Sequence, residues 1–359
     1  MKHTYILFAL AKLTWKKQFD ILQEYGSSDR VFEQAKDGVN FKNLTSEENE
    51  AIQEILNTNM IETHIKGLEK LNIKIICIED EEYPENLKNI YDPPMMLYCK
   101  GDISLLKEDC LAVVGARVGT RYGMEQTTKF AKDFSKAGFC VVSGLAEGTD
   151  GHAHRAVLEV EGKTIAVMAG GLNTVYPAIH TELFEQIANK GLLISENLPN
   201  YKPKGYNFIQ RNRIIAGLSL GVFVPEASTK SGSLHTVEFA IENGREVFAL
   251  PGPVDSRASS GTNHLIKNLQ AHCATEPKDV ISRFPNHKLK QEKVTKQVVQ
   301  LNMYEQLVIN CVANQDTHFD EIAKKTQMDT KSLNSLLTTL SIRGLIKRLS
   351  GNYFRGVDK

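Results

Sequence analysis

The chain has 359 residues, of which 42% are hydrophobic and 24% are charged, which is the length and composition of a globular protein with two or three domains. Lys and Arg number 43 together, as do Asp and Glu, so a nucleic-acid partner would have to be attracted by local clusters of charge. No run of about 18 apolar residues predicts a membrane span, and the apolar residues 5–13 lack the small-residue cleavage site of a signal peptide.

The start of the chain predicts a small helical domain followed by a connecting segment. Apolar residues recur there at helical spacing, Gly26 ends one predicted helix, and Thr45 begins a capping box for another that should run to about Leu71. A β-type run and a pair of prolines then indicate extended chain. We therefore expect a helical domain at residues 1–72 and a connecting strand segment at 73–104.

Strand and helix alternate through the core, which we place at residues 105–285. Apolar β-type runs are separated by helical stretches such as 123–137 and 236–243. The predicted strands are 111–115, 139–143, 164–168, 191–195, 220–224 and 246–250. This alternation predicts an α/β fold in which helices cover both faces of a parallel sheet. Ligands of such a sheet bind at the carboxyl ends of its strands.

Glycine-rich or hydroxyl-rich loops follow several of these strands, and each should lie at that ligand-binding edge. Small residues there allow backbone amides to approach a phosphate at the start of a helix. The predicted contacts are Gly115, Arg117 and Arg121 in the first loop, Ser143 and Gly144 in the second, and Lys230, Ser231, Gly232 and Ser233 in the third. Together the loops predict one phosphate-facing surface.

A segment between the second and third loops combines an aromatic ring with cations. Its predicted contact residues are Lys202, Lys204, Phe208, Arg211, Asn212 and Arg213. An aromatic ring stacks on bases and guanidinium groups bind backbone oxygens, so this pattern favours a single-stranded nucleic acid. The alternative is that the two arginines are buried and serve only to shape a loop.

Other chemistries are disfavoured. The first loop does not spell GxGxxG, and no acidic residue follows the second strand to hold a ribose, so we expect no redox cofactor. Asp150, His152 and His154 could be drawn as a catalytic or metal site, but i, i+2 spacing does not bring two imidazoles to one helix face. We interpret Asp150 as a helix cap beside locally hydrogen-bonded histidines. Six cysteines without CxxC spacing favour a reducing cytoplasm, and we expect no metal and no catalytic residue.

The end of the chain predicts a lysine-rich linker at residues 286–300 and a winged helix at 301–359. Helices at 319–326 and 330–342 are followed by strands at 345–349 and 352–355, which is the winged-helix order. From Asn286 onward there are 12 Lys and Arg residues against 7 Asp and Glu residues. This excess indicates either a nucleic-acid contact or a solvated polar face.

These motifs resemble those of the DprA family, also called Smf, of bacterial DNA-processing proteins. The ordered matches extend from Tyr83 to Leu269. They include Asp92-Pro93-Pro94, Val114-Gly115-Ala116-Arg117, Val142-Ser143-Gly144-Leu145-Ala146, Tyr176-Pro177, Ser195-Glu196, Arg211-Asn212-Arg213-Ile214-Ile215-Ala216-Gly217, Ser231-Gly232-Ser233 and Gly261-Thr262-Asn263. Departures are Ala116, which replaces a hydroxyl residue, Glu147, where a basic or neutral residue is common, and the lack of a glycine after Leu265-Ile266.

The resemblance implies an extended Rossmann-like core between an N-terminal helical domain of the SAM or helix-hairpin-helix kind and a C-terminal winged helix. It implies a cytoplasmic homodimer without enzymatic activity, cofactor or membrane contact. Such a protein binds and protects single-stranded DNA and helps load RecA in place of single-strand-binding protein during natural transformation and homologous recombination. By motif, Arg117 would contact a phosphate, Lys204 and Phe208 would line the pocket, and Arg211 and Arg213 would hold the backbone or the pocket shape.

Two other functions stay open at this point. One is a nucleotide phosphoribohydrolase-type enzyme on a related scaffold, with Glu238 as the carboxylate nearest a phosphate site. The other is a winged-helix transcription regulator that binds a duplex operator.

Overall fold

The structure, a computed structural model, describes residues 2–285, 287, 303–313, 315–342 and 345–356. The chain divides into two compact units, residues 1–289 and 290–359. Apart from residue 287, the predicted linker at 286–300 lies outside the described residues. No helix in the described ranges is long and apolar enough to cross a membrane.

The first unit opens with helices that bury their apolar faces against one another. They are α1 (Lys2–Leu10), α2 (Trp15–Tyr25), α3 (Ser28–Lys36), α4 (Ser46–Asn57) and α5 (Met60–Lys70). Thr45 and Glu48 form the predicted capping box at the start of α4. The prediction of one helix from there to Leu71 is wrong, because the backbone turns extended at Thr58, whose hydroxyl donates to the carbonyl of Glu54 and ends α4.

The connecting segment joins the central sheet instead of standing apart from it. It contains β1 (Lys74–Cys77), α6 (Glu85–Lys88) and β2 (Met96–Gly101), with a 3₁₀ turn at Ile103–Lys107. The two strands pair antiparallel with each other. The domain boundaries predicted at residues 72 and 104 stay predictions.

The core then alternates strand and helix as the sequence predicts. Its elements are β3 (Cys110–Val113), α7 (Arg121–Lys136), β4 (Cys140–Ser143), α8 (Thr149–Glu159), β5 (Thr164–Val167), α9 (Thr181–Lys190), β6 (Leu192–Ser195), α10 (Gly205–Leu218), β7 (Gly221–Val224), α11 (Leu234–Glu242), β8 (Glu246–Ala249), α12 (Ser260–Lys267), β9 (His272–Cys273) and α13 (Pro277–Ile281). Short 3₁₀ turns precede α9 at Ala178–His180 and α12 at Arg257–Ser259. The predicted strands agree with β3 to β8 within two residues at each end.

Strand order places the predicted loops together. The sheet runs β1-β2-β6-β5-β4-β3-β7-β8-β9, and all neighbours from β6 to β9 are parallel. Every residue of β3 to β7 is buried, as expected for strands covered on both faces. The strands β4, β5 and β6 are added in turn on one side of β3. The chain then crosses back and adds β7 on the other side of β3. A crevice therefore opens between the loops that follow β3 and β7, where ligands of such sheets bind.

The second unit has the predicted helices and hairpin. Its elements are α14 (Met303–Val312), β10 (Thr317–His318), α15 (Phe319–Thr326), α16 (Thr330–Ile342), β11 (Ile346–Arg348) and β12 (Tyr353–Gly356), with a 3₁₀ turn at Ser350–Asn352. The strands form an antiparallel sheet in the order β10-β12-β11. Helix, helix and hairpin enclose their own buried apolar cluster, which confirms the predicted winged-helix order.

Candidate functional site

A cavity of about 520 Å³ occupies this crevice at the carboxyl edge of the sheet. The loop after β3, the first turns of α10 and the segment before α11 line it. We call it the edge cavity. Of the predicted contacts, it brings together Gly115, Arg117, Phe208, Arg211, Asn212, Ser231, Gly232 and Ser233.

The loops after β3 and β4 are fastened to each other through Ala116. Its carbonyl accepts hydrogen bonds from the backbone amide of Thr149 at 3.1 Å and from the Thr149 hydroxyl at 3.3 Å. Its own amide donates to the carbonyl of Glu226 at 2.8 Å. Gly148 has φ +74°, and a Cβ there would collide with the carbonyls of Ala116 and Arg117, so the close approach requires glycine. The first and second loops therefore form one rigid surface.

Glu226 holds the other end of the first loop, and sequence reasoning did not identify it. Its side chain is 1% exposed, and its carboxylate accepts from the backbone amide of Thr120 at 2.7 Å and from the Thr120 hydroxyl at 2.8 Å. That hydroxyl also accepts from the amide of Gly123 and caps α7. The contact joins residues 106 positions apart, so no local sequence signal could have revealed it.

Arg211 forms the floor of the edge cavity. It is 5% exposed and donates to the carbonyl oxygens of Gly144, at 2.6 Å, and Val167. A Cβ on Gly144 would overlap the guanidinium, so glycine is required there. Burial lowers the pKa of Arg211 to about 10; the carboxylate of Asp150 opposes this shift and the charge of Arg117 adds to it.

Arg213 lies on a different side of the same helix. Two helical positions correspond to a rotation of about 200°, which directs Arg213 away from the cavity and into ion pairs with Glu196 and with Asp92, the latter at 3.2 Å. The arginines that the sequence analysis treated as one groove-lining pair are therefore separated. Both are buried, but Arg211 still lines the edge cavity, whereas Arg213 has the purely structural role of the alternative.

Arg117 and Phe208 meet at the mouth of the cavity. The Arg117 guanidinium carbon lies 5.3 Å from the centroid of the Phe208 ring, a cation–π contact. The Phe208 centroid lies 5.3 Å from the centroid of Tyr176, with the rings inclined by 56°. Arg117 is exposed, and within the described ranges it forms no ion pair.

Beside the edge cavity is a smaller space that we call the side cleft. It measures about 40 Å³ and shares Arg117, Ala146, Phe208 and Arg211 with the edge cavity. Its further lining includes Glu147, Met168, Thr174, Tyr176, Pro177 and Pro203. The side chains of Arg117 and Phe208 therefore lie between the two spaces.

The hydroxyl-rich segment before α11 supplies polar groups on the opposite wall. The hydroxyls of Ser231 and Ser233 lie 2.8 Å apart, and the side-chain amide of Asn212 donates to the carbonyl of Gly232 at 3.3 Å. Thr236, in the first turn of α11, lines the cavity and is 1% exposed. Its hydroxyl has no partner among the described residues. This wall therefore has hydroxyl capacity that a ligand could use.

The remaining predicted contacts lie elsewhere. Ser143 is buried and its hydroxyl donates to the carbonyl of Val113, whereas Gly144 lines the side cleft. Four predicted cations are exposed but are not among the described residues that line the edge cavity: Arg121, Lys202, Lys204 and Lys230. Arg121 is paired with Glu125 at 2.7 Å. Direct ligand contacts by these cations stay predictions.

The residues drawn as a possible catalytic set have structural roles. The carboxylate of Asp150 accepts from the amides of Gly144 and Ala146, and α8 begins after Gly148, so the prediction that Asp150 is the cap itself is wrong. His152 bonds to the carbonyl of Gly148, as the local interpretation predicts, whereas His154 bonds across to the hydroxyl of Thr164 on β5. Among the described residues, no group of three His, Cys, Asp or Glu side chains could hold a metal.

Glu238, the carboxylate considered for hydrolysis, also lies outside the edge cavity. Its side chain is 64% exposed and pairs with His235 at 2.9 Å. It is not among the described residues that line the cavity.

Comparisons with known proteins agree across both units. Residues 74–285 match the family described as DNA recombination-mediator protein A, and residues 299–352 match the DprA winged helix domain. The chain is 38% identical to Protein Smf of Escherichia coli K12, with 82% of this chain and 80% of that protein covered. It is 41% identical to DNA processing protein DprA of Bacillus subtilis, with 59% and 72% covered.

Solved structures show the same likeness. DNA processing protein A from Streptococcus pneumoniae superimposes with a TM-score of 0.69 at 35% identity, covering 77% of this chain and 95% of that one. DNA processing protein A from Helicobacter pylori, studied for its single-stranded DNA binding mode, gives a TM-score of 0.54 at 32% identity, covering 59% of this chain and 95% of that one.

Proposed function

This chain belongs to the DNA recombination-mediator protein A family, and on that premise we propose that it binds single-stranded DNA at the edge cavity. The observation that carries the proposal is the contact of Arg117 with Phe208 at the mouth of a cavity walled by loop amides and hydroxyls. The Helicobacter pylori relative, described as binding single-stranded DNA, supports it.

The charges at the cavity favour an anion. Arg211 is desolvated, and the charge of Arg117 further lowers the pKa of its guanidinium, so the two cations oppose one another. A phosphate near Arg117 would relieve that repulsion and accept charge-assisted hydrogen bonds. The unpartnered hydroxyl of Thr236 is a further donor on the opposite wall.

The aromatic mouth favours an unpaired strand over a duplex. Phe208 lies half-buried in the lining, where it can receive the face of a base. In a duplex both faces of an internal base are already covered by its neighbours. Stacking at Phe208 with phosphate binding in the cavity therefore selects DNA whose bases are free, without reading their sequence.

Beyond binding, we propose that the protein protects the strand and helps load RecA on it in place of single-strand-binding protein, acting as a homodimer without catalysis. Membership of the recombination-mediator family supports this extension. RecA filament formation on strands coated with single-strand-binding protein should accelerate when the full chain is added. Sedimentation of the free protein should give twice the mass of one chain.

Fluorescence-anisotropy titration of the full chain tests the binding proposal. The expected result is tighter binding of a single strand than of its duplex, with affinity that falls steeply as salt rises. Arg117→Ala should weaken single-strand binding at least tenfold and reduce the salt slope by about 1. Arg121→Ala is the matched comparison and should do less, because Glu125 already neutralises that guanidinium.

Three outcomes would overturn the proposal. If neither raised salt nor Arg117→Ala changes the affinity for single strands, the DNA does not bind at the edge cavity. Preference for duplex DNA would favour a winged-helix regulator. Release of free base from a nucleoside monophosphate, abolished by Glu238→Ala, would favour the phosphoribohydrolase alternative.

A further inference from the structure

We infer that Tyr176 forms a second base-stacking position next to Phe208, so that a strand leaving the edge cavity crosses both rings. The inference rests on the proposed function, because it extends the same site. Tyr176 lies in the segment after β5 and lines the side cleft, whereas Ser231 lines the edge cavity.

The first argument is exposure. Tyr176 is 49% exposed, although it lines the side cleft and its ring contacts the half-buried Phe208. Among the described residues its hydroxyl has no hydrogen-bond partner, so the hydroxyl does not explain its position. An accessible aromatic face next to a binding cavity is a typical site for a flat apolar ligand.

The second argument is size. At about 40 Å³ the side cleft has room for a few water molecules but not for a nucleobase. A base at this end of the site must therefore lie across the ring faces at the mouth. Arg117 and Phe208 line both spaces, so a strand that crosses these two side chains passes from the edge cavity to the side cleft.

The third argument is charge. The side cleft contains the exposed carboxylate of Glu147, which repels a phosphate. The edge cavity instead offers amides, hydroxyls and guanidinium groups. The two spaces therefore suit different parts of one nucleotide chain: the phosphate enters the edge cavity, and a base lies on Tyr176.

The geometry also bends the strand. Bases stacked on Phe208 and Tyr176 would be inclined to each other by about the 56° that separates the rings. Neighbouring bases of a duplex lie nearly parallel, so this arrangement excludes paired DNA and selects a kinked single strand.

The test measures binding of the full chain to two strands of equal length by anisotropy. One strand carries all its bases, and the other carries abasic sites with the phosphates intact. Tyr176→Ala should weaken binding of the complete strand about tenfold, in the range found for loss of one base–aromatic stack, and leave binding of the abasic strand unchanged. Tyr176→Phe should restore the affinity, because the ring and not the hydroxyl makes the contact.

Tyr91→Ala is the matched control. That tyrosine is 89% exposed and contacts Trp15, and it is not among the described residues that line either space. Its variant should bind both strands as the unchanged protein does.

The outcomes separate this inference from the proposed function. If Arg117→Ala weakens binding but Tyr176→Ala leaves the complete strand unaffected, the second stacking position is wrong and the edge cavity remains the site. If Tyr176→Ala weakens both strands equally, the residue shapes the cleft and does not stack. If the unchanged protein fails to bind single strands, the proposed function itself is wrong.

Discussion

The edge cavity and the C-terminal unit use cations in opposite ways. In the C-terminal unit, Arg355 forms a two-bond pair with Asp316 at 2.5 and 2.6 Å, and Lys325 pairs with Glu321 at 2.8 Å. At the edge cavity, Arg117 is exposed without an ion pair among the described residues. Two cations of the locally basic end are thus paired within their own unit, whereas the core presents an exposed, unpaired guanidinium beside an aromatic ring. Counting charges along a sequence is therefore a poor guide to where a phosphate binds.

The largest difference between the two regions is expected when one arginine is removed from each. Arg211→Met deletes two buried hydrogen bonds and leaves the carbonyls of Gly144 and Val167 without a donor, which should lower the free energy of unfolding by about 3 kcal/mol. Single-strand binding should be lost with the cavity floor. Arg355→Met removes only a surface ion pair and should change the free energy of unfolding little. Urea unfolding followed by circular dichroism measures the free energy of unfolding of both variants. If the two variants lose similar amounts, burial of the arginine does not determine its contribution to stability.

Charge-reversing substitutions test whether the edge cavity or the C-terminal unit contacts DNA. Arg117→Glu should lower single-strand affinity on the order of a hundredfold, because it replaces a phosphate donor with a repelling carboxylate. Lys347→Glu, on an exposed position of β11, should lower it less than about threefold. Anisotropy at one fixed salt concentration compares them. An equal loss for the two variants would mean that the C-terminal unit contributes as much as the cavity.

Removing a carboxylate from each region gives a smaller, opposite effect. Glu147→Gln takes a negative charge from the side cleft and should raise single-strand affinity by about twofold to fivefold at low salt, with the gain fading as salt rises. Glu321→Gln frees Lys325 in the C-terminal unit and should leave affinity nearly unchanged. A larger gain from Glu321→Gln would indicate that pairing, and not location, keeps the C-terminal cations from binding DNA.

A further effect concerns the pH dependence of stability, and it distinguishes buried groups of the core from surface groups. The Thr164 hydroxyl donates to the carbonyl of Val141 and so accepts from Nδ1 of His154, while Nε2 has no partner among the described residues. Burial lowers the pKa of His154 from 6.5 to about 3. Since the unfolded chain takes up the proton first, the stability from neutral His154 is complete above pH 6.5 and decreases as the pH falls toward 3, by up to about 1.4 kcal/mol per pH unit.

Urea titrations between pH 7 and pH 4 measure this slope. His154→Gln should show a shallower decrease in the free energy of unfolding than the unchanged protein does. Identical slopes would mean that folding does not lower the pKa of His154.

The strands could be predicted because their signal is local. Runs such as 139–143 and 164–168 are almost entirely apolar, which is the pattern of a strand buried on both faces whatever its neighbours are. The loops after them could be placed at one edge because parallel strands end on the same side. The same reasoning found Arg117 and Phe208, which the fold brings into contact.

What could not be predicted depends on contacts through space. No local sequence pattern indicates that the carboxylate of Glu226 accepts hydrogen bonds from Thr120. The separation of Arg211 from Arg213 could have been predicted from the sequence. Residues at i and i+2 lie on different faces of a helix, and this argument, applied to His152 and His154, holds equally on α10. The break at Thr58 was missed because the flanking residues continue the helical apolar pattern.

The fastening of the first two loops through Ala116 has a kinetic consequence. With the carbonyl and amide of Ala116 already bonded to Thr149 and Glu226, no segment there has to order itself when a ligand arrives. Association in stopped flow should therefore follow a single exponential whose rate rises linearly with protein concentration, without the plateau of a slow isomerisation. The speed of capture would then be set by diffusion and by electrostatic attraction.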